Sequence, residues 1–163
     1  MSEIVTIRPA REDEVPLVLA FVRELAQYEH LEHQAVATED GMRKALFGPR
    51  PYAEVVFACL DAQPVGFALF FHNFSTFMGL PGIYLEDLFV RPSVRGRGLG
   101  RTLLKWLAAL AVERGCGRLE WSVLDWNAPS IGFYRSLGAI PLDEWTQFRL
   151  TGAALHELAG GSR

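Results

Sequence analysis

A glycine-rich turn between a strand and a helix is the feature that most constrains the fold and ligands of this chain. An apolar strand ends at Val90, and a long amphipathic helix begins near Leu99. Between them, residues 95–100 read Arg-Gly-Arg-Gly-Leu-Gly, a segment called the glycine loop below. Glycines let the backbone curl without Cβ clashes, and the first amides of a helix have no intrahelical acceptor. With arginines nearby, this arrangement favours a site for a pyrophosphate group.

The residues of the glycine loop do not match two common phosphate-binding signatures. A dinucleotide-binding fingerprint requires a glycine at position 101, where Arg101 stands. A P-loop requires Gly-Lys-Ser/Thr, which the segment lacks. From these residues alone, a phosphate site and a plain glycine-rich turn with arginines around it both remain open.

The order of predicted elements indicates a mixed α/β fold. Periodicity and turn signals predict the order β-α-α-β-β-β-α-β-α-β-α. The predicted strands cover residues 4–8, 53–60, 65–71, 83–90, 119–124 and 145–150. A run of strands followed by alternating strands and helices is typical of a mixed sheet with helices on both faces. A length of 163 residues predicts a single domain over residues 1–163.

Composition and charge exclude several classes of protein. The net charge of −3 argues against a nucleic-acid binder, and two cysteines exclude a disulfide scaffold or a four-cysteine zinc site. The four histidines show no metal-ligand spacing with them, so no metal is expected. No apolar run is long enough for a membrane span and no signal-peptide pattern is present, so a cytoplasmic location is expected.

Charge is distributed unevenly along the chain. Residues 11–40 hold eight acidic residues and two arginines, whereas residues 91–105 hold five basic residues and no acidic one. Each run is typical of a solvated face. Together they also suit an anionic ligand that binds beside a cationic one.

Two separated motifs resemble the GCN5-related N-acetyltransferase (GNAT) superfamily. Residues 95–100 fit its Arg/Gln-x-x-Gly-x-Gly/Ala motif, and residues 125–134 are similar to its Asn-x-x-(Ser/Ala)-x-x-x-Tyr segment. The resemblance implies a central mixed, mostly antiparallel, twisted sheet with helices on both faces. It also implies transfer of an acetyl group from acetyl-CoA to a primary amine by direct attack in a ternary complex. The implied acetyl-CoA-binding residues are Leu88, Phe89, Val90, Arg95, Gly96, Arg97, Gly98, Leu99, Gly100, Arg101, Asn127 and Ser130.

A narrower resemblance is to the diamine branch, which acetylates spermidine, spermine or thialysine. It is carried by residues 26–29, 84–90, 126–127 and 144–145. It implies a homodimer and an anionic amine pocket made of Tyr28, Glu29, Glu32, Asp87 and Trp145. Polyamine-acetylating members tend to carry an acidic residue and a tryptophan in the loop that precedes the segment equivalent to residues 84–90. Residues 74–78 lack both, and His33 replaces a further acid, which favours a smaller, lysine-like amine.

The implied reaction needs groups that move protons. An alkylammonium has a pKa near 10.4, so it must lose a proton before attack, and a carboxylate near the amine is suited to accept that proton directly or through water. Glu86 is the candidate base, and the alternative is a structural partner for an arginine. Asp87 is expected on the opposite face if the strand is regular. Tyr134 is the candidate acid for the departing thiolate, and the alternative is a core tyrosine.

Backbone amides are expected to stabilise the carbonyl oxygen. The superfamily has a locally splayed sheet at the equivalent strand, so the amide groups within residues 88–90 are the candidates. Two other functions stay open at this stage: acetylation of a protein or peptide amine, and acyl-CoA binding without catalysis. Apolar residues near 74–80 are a candidate partner surface for a dimer.

Overall fold

The computed structural model describes residues 3–161, which form two compact units that divide after Ser122. The first unit contains β1 (Val5–Pro9), α1 (Val15–Tyr28), α2 (Glu39–Phe47), β2 (Glu54–Leu60), β3 (Gln63–Ser75), β4 (Leu80–Val90), α3 (Leu99–Glu113) and β5 (Leu119–Trp121). The second unit contains α4 (Ala128–Ser136) and α5 (Gly152–Leu158). Within residues 3–161, no helix is long and apolar enough to cross a membrane.

The five strands form one sheet in the order β1-β2-β3-β4-β5. Neighbouring strands are antiparallel except for β4 and β5, which are parallel. Phe21 of α1 stacks on Phe67 of β3 at 5.5 Å, whereas Trp106 of α3 meets Phe70 of the same strand at 6.2 Å. Since Phe67 and Phe70 point to opposite faces, α1 and α3 lie on opposite sides of the sheet. The predicted mixed sheet with helices on both faces is confirmed.

The first helix is fixed at its start by an ion pair. Arg8 on β1 donates two hydrogen bonds to Glu14, at 2.9 and 2.7 Å, and the Arg11 amide donates a third at 2.8 Å. These bonds, the Arg8 bonds above all, lower the pKa of Glu14 to about 2. A 3-10 turn over Glu12–Glu14 precedes α1, which begins at Val15.

The connections between β2, β3 and β4 are tight. Asp61 and Ala62 both have positive φ, at 47° and 66°, as a two-residue primed turn requires. The strands predicted over residues 53–60 and 65–71 therefore form a hairpin. Both strands are longer than predicted, because β3 runs on to Ser75 and β4 begins at Leu80.

The strand predicted over residues 145–150 is absent from the structure. Those residues have no regular secondary structure, and β5 ends at Trp121 rather than at residue 124. An extended segment becomes a strand only when its amides pair with another strand. The described part of the second unit, residues 123–161, contains no strand, so the apolar side chains of Trp145 and Phe148 stay exposed there.

Candidate functional site

The glycine loop forms an open turn at the start of α3. Gly96 and Gly98 have φ of 80° and 78°, a left-handed backbone that favours glycine. A Cβ placed on either glycine would meet nothing within 4 Å, so the loop leaves space above both. Gly98 is the N-cap of α3 and has no side chain to cap the helix amides. The loop thus presents helix amides to an open space, as a phosphate site requires.

A register shift in β4 changes the direction of the amides that follow it. Leu69 pairs with Asp87 while Phe70 pairs with Leu85, so Glu86 is an extra residue without a partner on β3. Ile83 donates its amide toward the β5 side, to Arg118 at 3.0 Å, but Arg91 donates to Val65 at 2.9 Å on the β3 side.

This reversal exposes two amides at the sheet edge. Amides of alternate residues point the same way, so those of Leu88 and Val90 point away from β3. The pairing of β4 with β5 ends at Leu85 and Trp121. Beyond Leu85, no strand among residues 3–122 covers this side of β4. The edge that leads to the glycine loop therefore offers backbone donors.

Three carboxylates come together where α1 ends over β4. They are Glu29, Glu86 and Asp87, called the acidic cluster below. Burial, followed by the charges of Glu86 and Glu29, raises the pKa of Asp87 to about 7. Burial also raises the pKa of Glu29. Asp87 pairs with Leu69, which packs against the core under α1, so Asp87 faces the α1 side of the sheet.

The end of α1 is shaped by a left-handed residue. His30 has a φ of 60°, and the amides of His30 and Leu31 donate to Gln27 and Ala26, at 3.2 and 2.8 Å. This bonding pattern is a Schellman motif, which stops the helix sharply. Tyr28 and Glu29 are therefore the last residues before the chain turns away, while Glu32 is exposed in the next 3-10 turn.

The predicted cofactor arginines have different surroundings. The Arg95 guanidinium lies over the Tyr28 ring at 4.6 Å and the Phe89 ring at 5.5 Å, and its Nε donates to the Val90 carbonyl at 2.9 Å. Arg97 forms an ion pair with Glu3. Arg101 is exposed on the first turn of α3.

In the second unit, α4 carries the other predicted residues on one face. Asn127 is its N-cap, and its side chain accepts a hydrogen bond from the Ser130 amide at 3.4 Å. Ser130 and Tyr134 follow Asn127 by three and seven residues, a spacing that places all three on one side of a helix. Trp145 is 74% exposed, outside any strand.

Comparisons with known proteins identify the family. The model of the acetyltransferase (GNAT) family matches residues 19–139. The chain belongs to the GNAT acetyltransferase family. A thialysine N-epsilon-acetyltransferase of Bos taurus is 38% identical over 96% of this chain and 98% of its own. An L-ornithine N5-acetyltransferase of Arabidopsis thaliana is 32% identical over 93% of this chain and 86% of its own.

A solved structure shares the fold of this GNAT acetyltransferase. An integron cassette protein from the mobile metagenome of V. cholerae has a TM-score of 0.81 and 29% identity, over 96% of this chain and 98% of its own. The resemblance found in the motifs is thus confirmed, and the chain is an N-acetyltransferase. GNAT acetyltransferases use acetyl-CoA as co-substrate.

Sequence reasoning missed two features of the GNAT site. Glu86 and Asp87 interrupt an otherwise apolar strand, which was a signal that the strand is irregular, yet nothing in the residues places the extra residue at Glu86. The contact between Arg95 and Tyr28 joins residues 67 positions apart, and no local pattern predicts it. Among the described residues, no cluster of three or more His, Cys, Asp or Glu is arranged to hold a metal.

Proposed function

We propose that this chain acetylates the side-chain amine of a lysine-like amino acid, and that residues 1–163 act as one domain in doing so. The observation that carries the proposal is the acidic cluster beside the glycine loop, because an ammonium group needs anionic partners next to the acetyl donor. The names of the relatives support the substrate class, since thialysine and ornithine both carry a side-chain amine.

The residues of the first unit suit acetyl-CoA. The open left-handed glycines and helix amides of the glycine loop would hold its pyrophosphate, with Arg97 and Arg101 beside them. The amides of Leu88 and Val90 would donate to the thioester oxygen. When bound, acetyl-CoA supplies the acetyl group and a thiolate leaving group. Asn127 and Ser130, on α4, are proposed to hold the rest of the cofactor.

The acidic cluster binds the substrate ammonium and takes its proton. A carboxylate that titrates near neutral pH is suited to be a general base, since it is ionised at working pH yet still accepts a proton. Asp87 meets that condition, and Glu86 stays the other candidate base. The nitrogen would then bond to the acetyl carbon as the carbon–sulfur bond breaks, and the Tyr134 hydroxyl would give its proton to the sulfur. The second proton lost by the nitrogen would return to the Tyr134 oxygen, and the first would leave the carboxylate for solvent, so the products are the amide, the CoA thiol and one proton.

The amine specificity can be tested with a panel of acceptors and acetyl-CoA, measuring released thiol. We expect kcat/KM for thialysine and ornithine to exceed that for spermidine by about tenfold or more, because residues 74–78 offer no carboxylate to a second ammonium. Lysine-containing peptides serve as the matched control for the protein-acetylating alternative.

Two results would contradict the proposed function. Higher kcat/KM for peptides than for free amino acids would favour a protein acetyltransferase. Tight CoA binding by calorimetry, without turnover of any amine, would favour an acyl-CoA-binding module. A wild-type protein that does not bind CoA would remove the proposed role of the glycine loop altogether.

We also propose that the protein is a cytoplasmic homodimer. Large apolar side chains are exposed around the tip between β3 and β4, where Phe74 is 60% exposed and Phe77 fully so. Burying such a patch in a second copy would remove apolar surface from water. Light scattering should give twice the monomer mass, and a Phe77→Ser variant should give the monomer mass. A monomeric wild-type protein would contradict this proposal.

A further inference from the structure

Arg95 connects the glycine loop to the end of α1. Its guanidinium rests between the rings of Tyr28 and Phe89, with the distances given above, and its Nε bonds to the Val90 carbonyl. A planar guanidinium that stacks and donates at once is held in one orientation, which a lysine cannot reproduce. Arg95 is the first residue of the glycine loop, so its orientation depends on the loop's conformation.

A second arginine, Arg91, contacts the same face of α1 at a point further from the acidic cluster. Arg91 donates to both oxygens of Glu24, at 3.1 and 2.9 Å, and lies over the Phe21 ring at 4.7 Å. Phe21, Glu24 and Tyr28 are spaced by three and four residues, so they share one helix face. Arg91 thus anchors the middle of the helix, whereas Arg95 holds its final residue.

The final residue of α1 is next to the acidic cluster. Glu29 follows Tyr28 directly, and its charge acts on Asp87. The Glu29 amide donates to the Leu25 carbonyl at 2.9 Å, so the backbone of Glu29 continues the last turn of α1 that carries Tyr28. A shift of Tyr28 is therefore expected to shift Glu29 as well.

We propose that Arg95 is a positioning residue that couples the two substrate sites: a filled glycine loop stabilises the contact between Arg95 and Tyr28, and that contact positions Tyr28 and Glu29 for the amine. The coupling rests on the proposed function, since it takes the loop as the CoA site and the acidic cluster as the amine site. Linkage requires the effect to be reciprocal, so the amine would also tighten CoA binding.

Hydrogen exchange with CoA as the added ligand tests the coupling without needing the amine. In the wild-type protein, CoA should slow exchange both in residues 95–101 and in residues 26–31, by about fivefold or more. In Arg95→Lys, CoA should still slow exchange in residues 95–101 but should no longer slow it in residues 26–31. Tyr28→Leu should behave like Arg95→Lys, and Tyr28→Phe, which keeps the ring, should behave like the wild type. Arg91→Lys is the matched control and should keep protection in both segments.

Kinetics provide a second readout. Arg95→Lys should raise KM for the amine about fivefold or more while changing kcat less, because the chemical groups are intact and only their placement is lost. The proposal is overturned if wild-type CoA protection stops at residue 101, if Arg95→Lys keeps protection in 26–31, or if Arg91→Lys loses it equally. Absence of protection in residues 95–101 of the wild type would instead refute the CoA site itself.

Discussion

Replacing Asp87 with asparagine is expected to stabilise the folded protein above neutral pH while lowering kcat/KM by about 100-fold or more. The stability gain follows from the raised pKa of Asp87, about 7 against an ordinary value of 3.8. A carboxyl whose pKa is raised by folding binds its proton more tightly in the folded state. The free energy of unfolding therefore decreases as pH rises from about 4 to about 7, and it stays lower by the full amount above that range.

Asparagine cannot ionise, so Asp87→Asn removes this cost. One pKa unit corresponds to about 1.4 kcal/mol, which sets an upper limit of roughly 4 kcal/mol for the gain. Urea denaturation at about pH 8 should show the gain, and at about pH 4 the two proteins should be equally stable. Glu113→Gln, at an exposed position of α3, is the matched control and should change stability by less than about 0.5 kcal/mol. Equal stability of Asp87→Asn and wild type at the higher pH would contradict the prediction.

The pH dependence of the rate separates the two candidate bases. If Asp87 takes the proton, wild-type kcat/KM should rise with pH through a midpoint near the pKa of Asp87, about 7. Glu86→Gln should move that midpoint to lower pH, since the charge of Glu86 is one cause of the raised pKa. Asp87→Asn should abolish the rise of kcat/KM with pH around that midpoint. A midpoint that survives in Asp87→Asn and disappears in Glu86→Gln would assign the base to Glu86.

Local patterns predicted much of the fold. The turn at Asp61 and the start of α3 at Leu99 both depend on residues within a few positions of one another. The open turn of the glycine loop was also predicted, because closely spaced glycines before an amphipathic helix allow a left-handed backbone. Such features need no knowledge of distant contacts.

Features that depend on distant partners were not predictable in the same way. The expectation that Asp87 lies opposite Glu86 assumed a regular strand, but the extra residue at Glu86 changes the alternation there. The residues 145–150 have strand-like composition, yet β propensity takes effect only where a partner strand exists. The raised pKa of Asp87 depends on Glu29, on a different element. The charge environment of Asp87 thus arises from packing between elements, which local patterns do not predict.

Tyr134→Phe is expected to lower kcat by tens-fold or more and to leave KM for the amine nearly unchanged. The substitution removes one oxygen atom and keeps the ring, which packs beside Phe133 at 5.6 Å, so α4 should be intact. A phenol, with an ordinary pKa near 10, can give a proton to the departing sulfur, whereas phenylalanine leaves the sulfur anionic. Steady-state thiol release with thialysine as acceptor measures both constants.

The proposed role of Tyr134 as a proton donor also predicts how the rate depends on pH. Wild-type kcat should fall at alkaline pH as the phenol ionises, and Tyr134→Phe should lack that fall because the group that titrates is gone. Tyr52→Phe is the matched control, since it removes the hydroxyl of a tyrosine that is 74% exposed before β2. It should retain both the rate and the alkaline fall. An unchanged kcat in Tyr134→Phe would exclude the hydroxyl from the reaction, and the proton would then have to reach the sulfur from another donor.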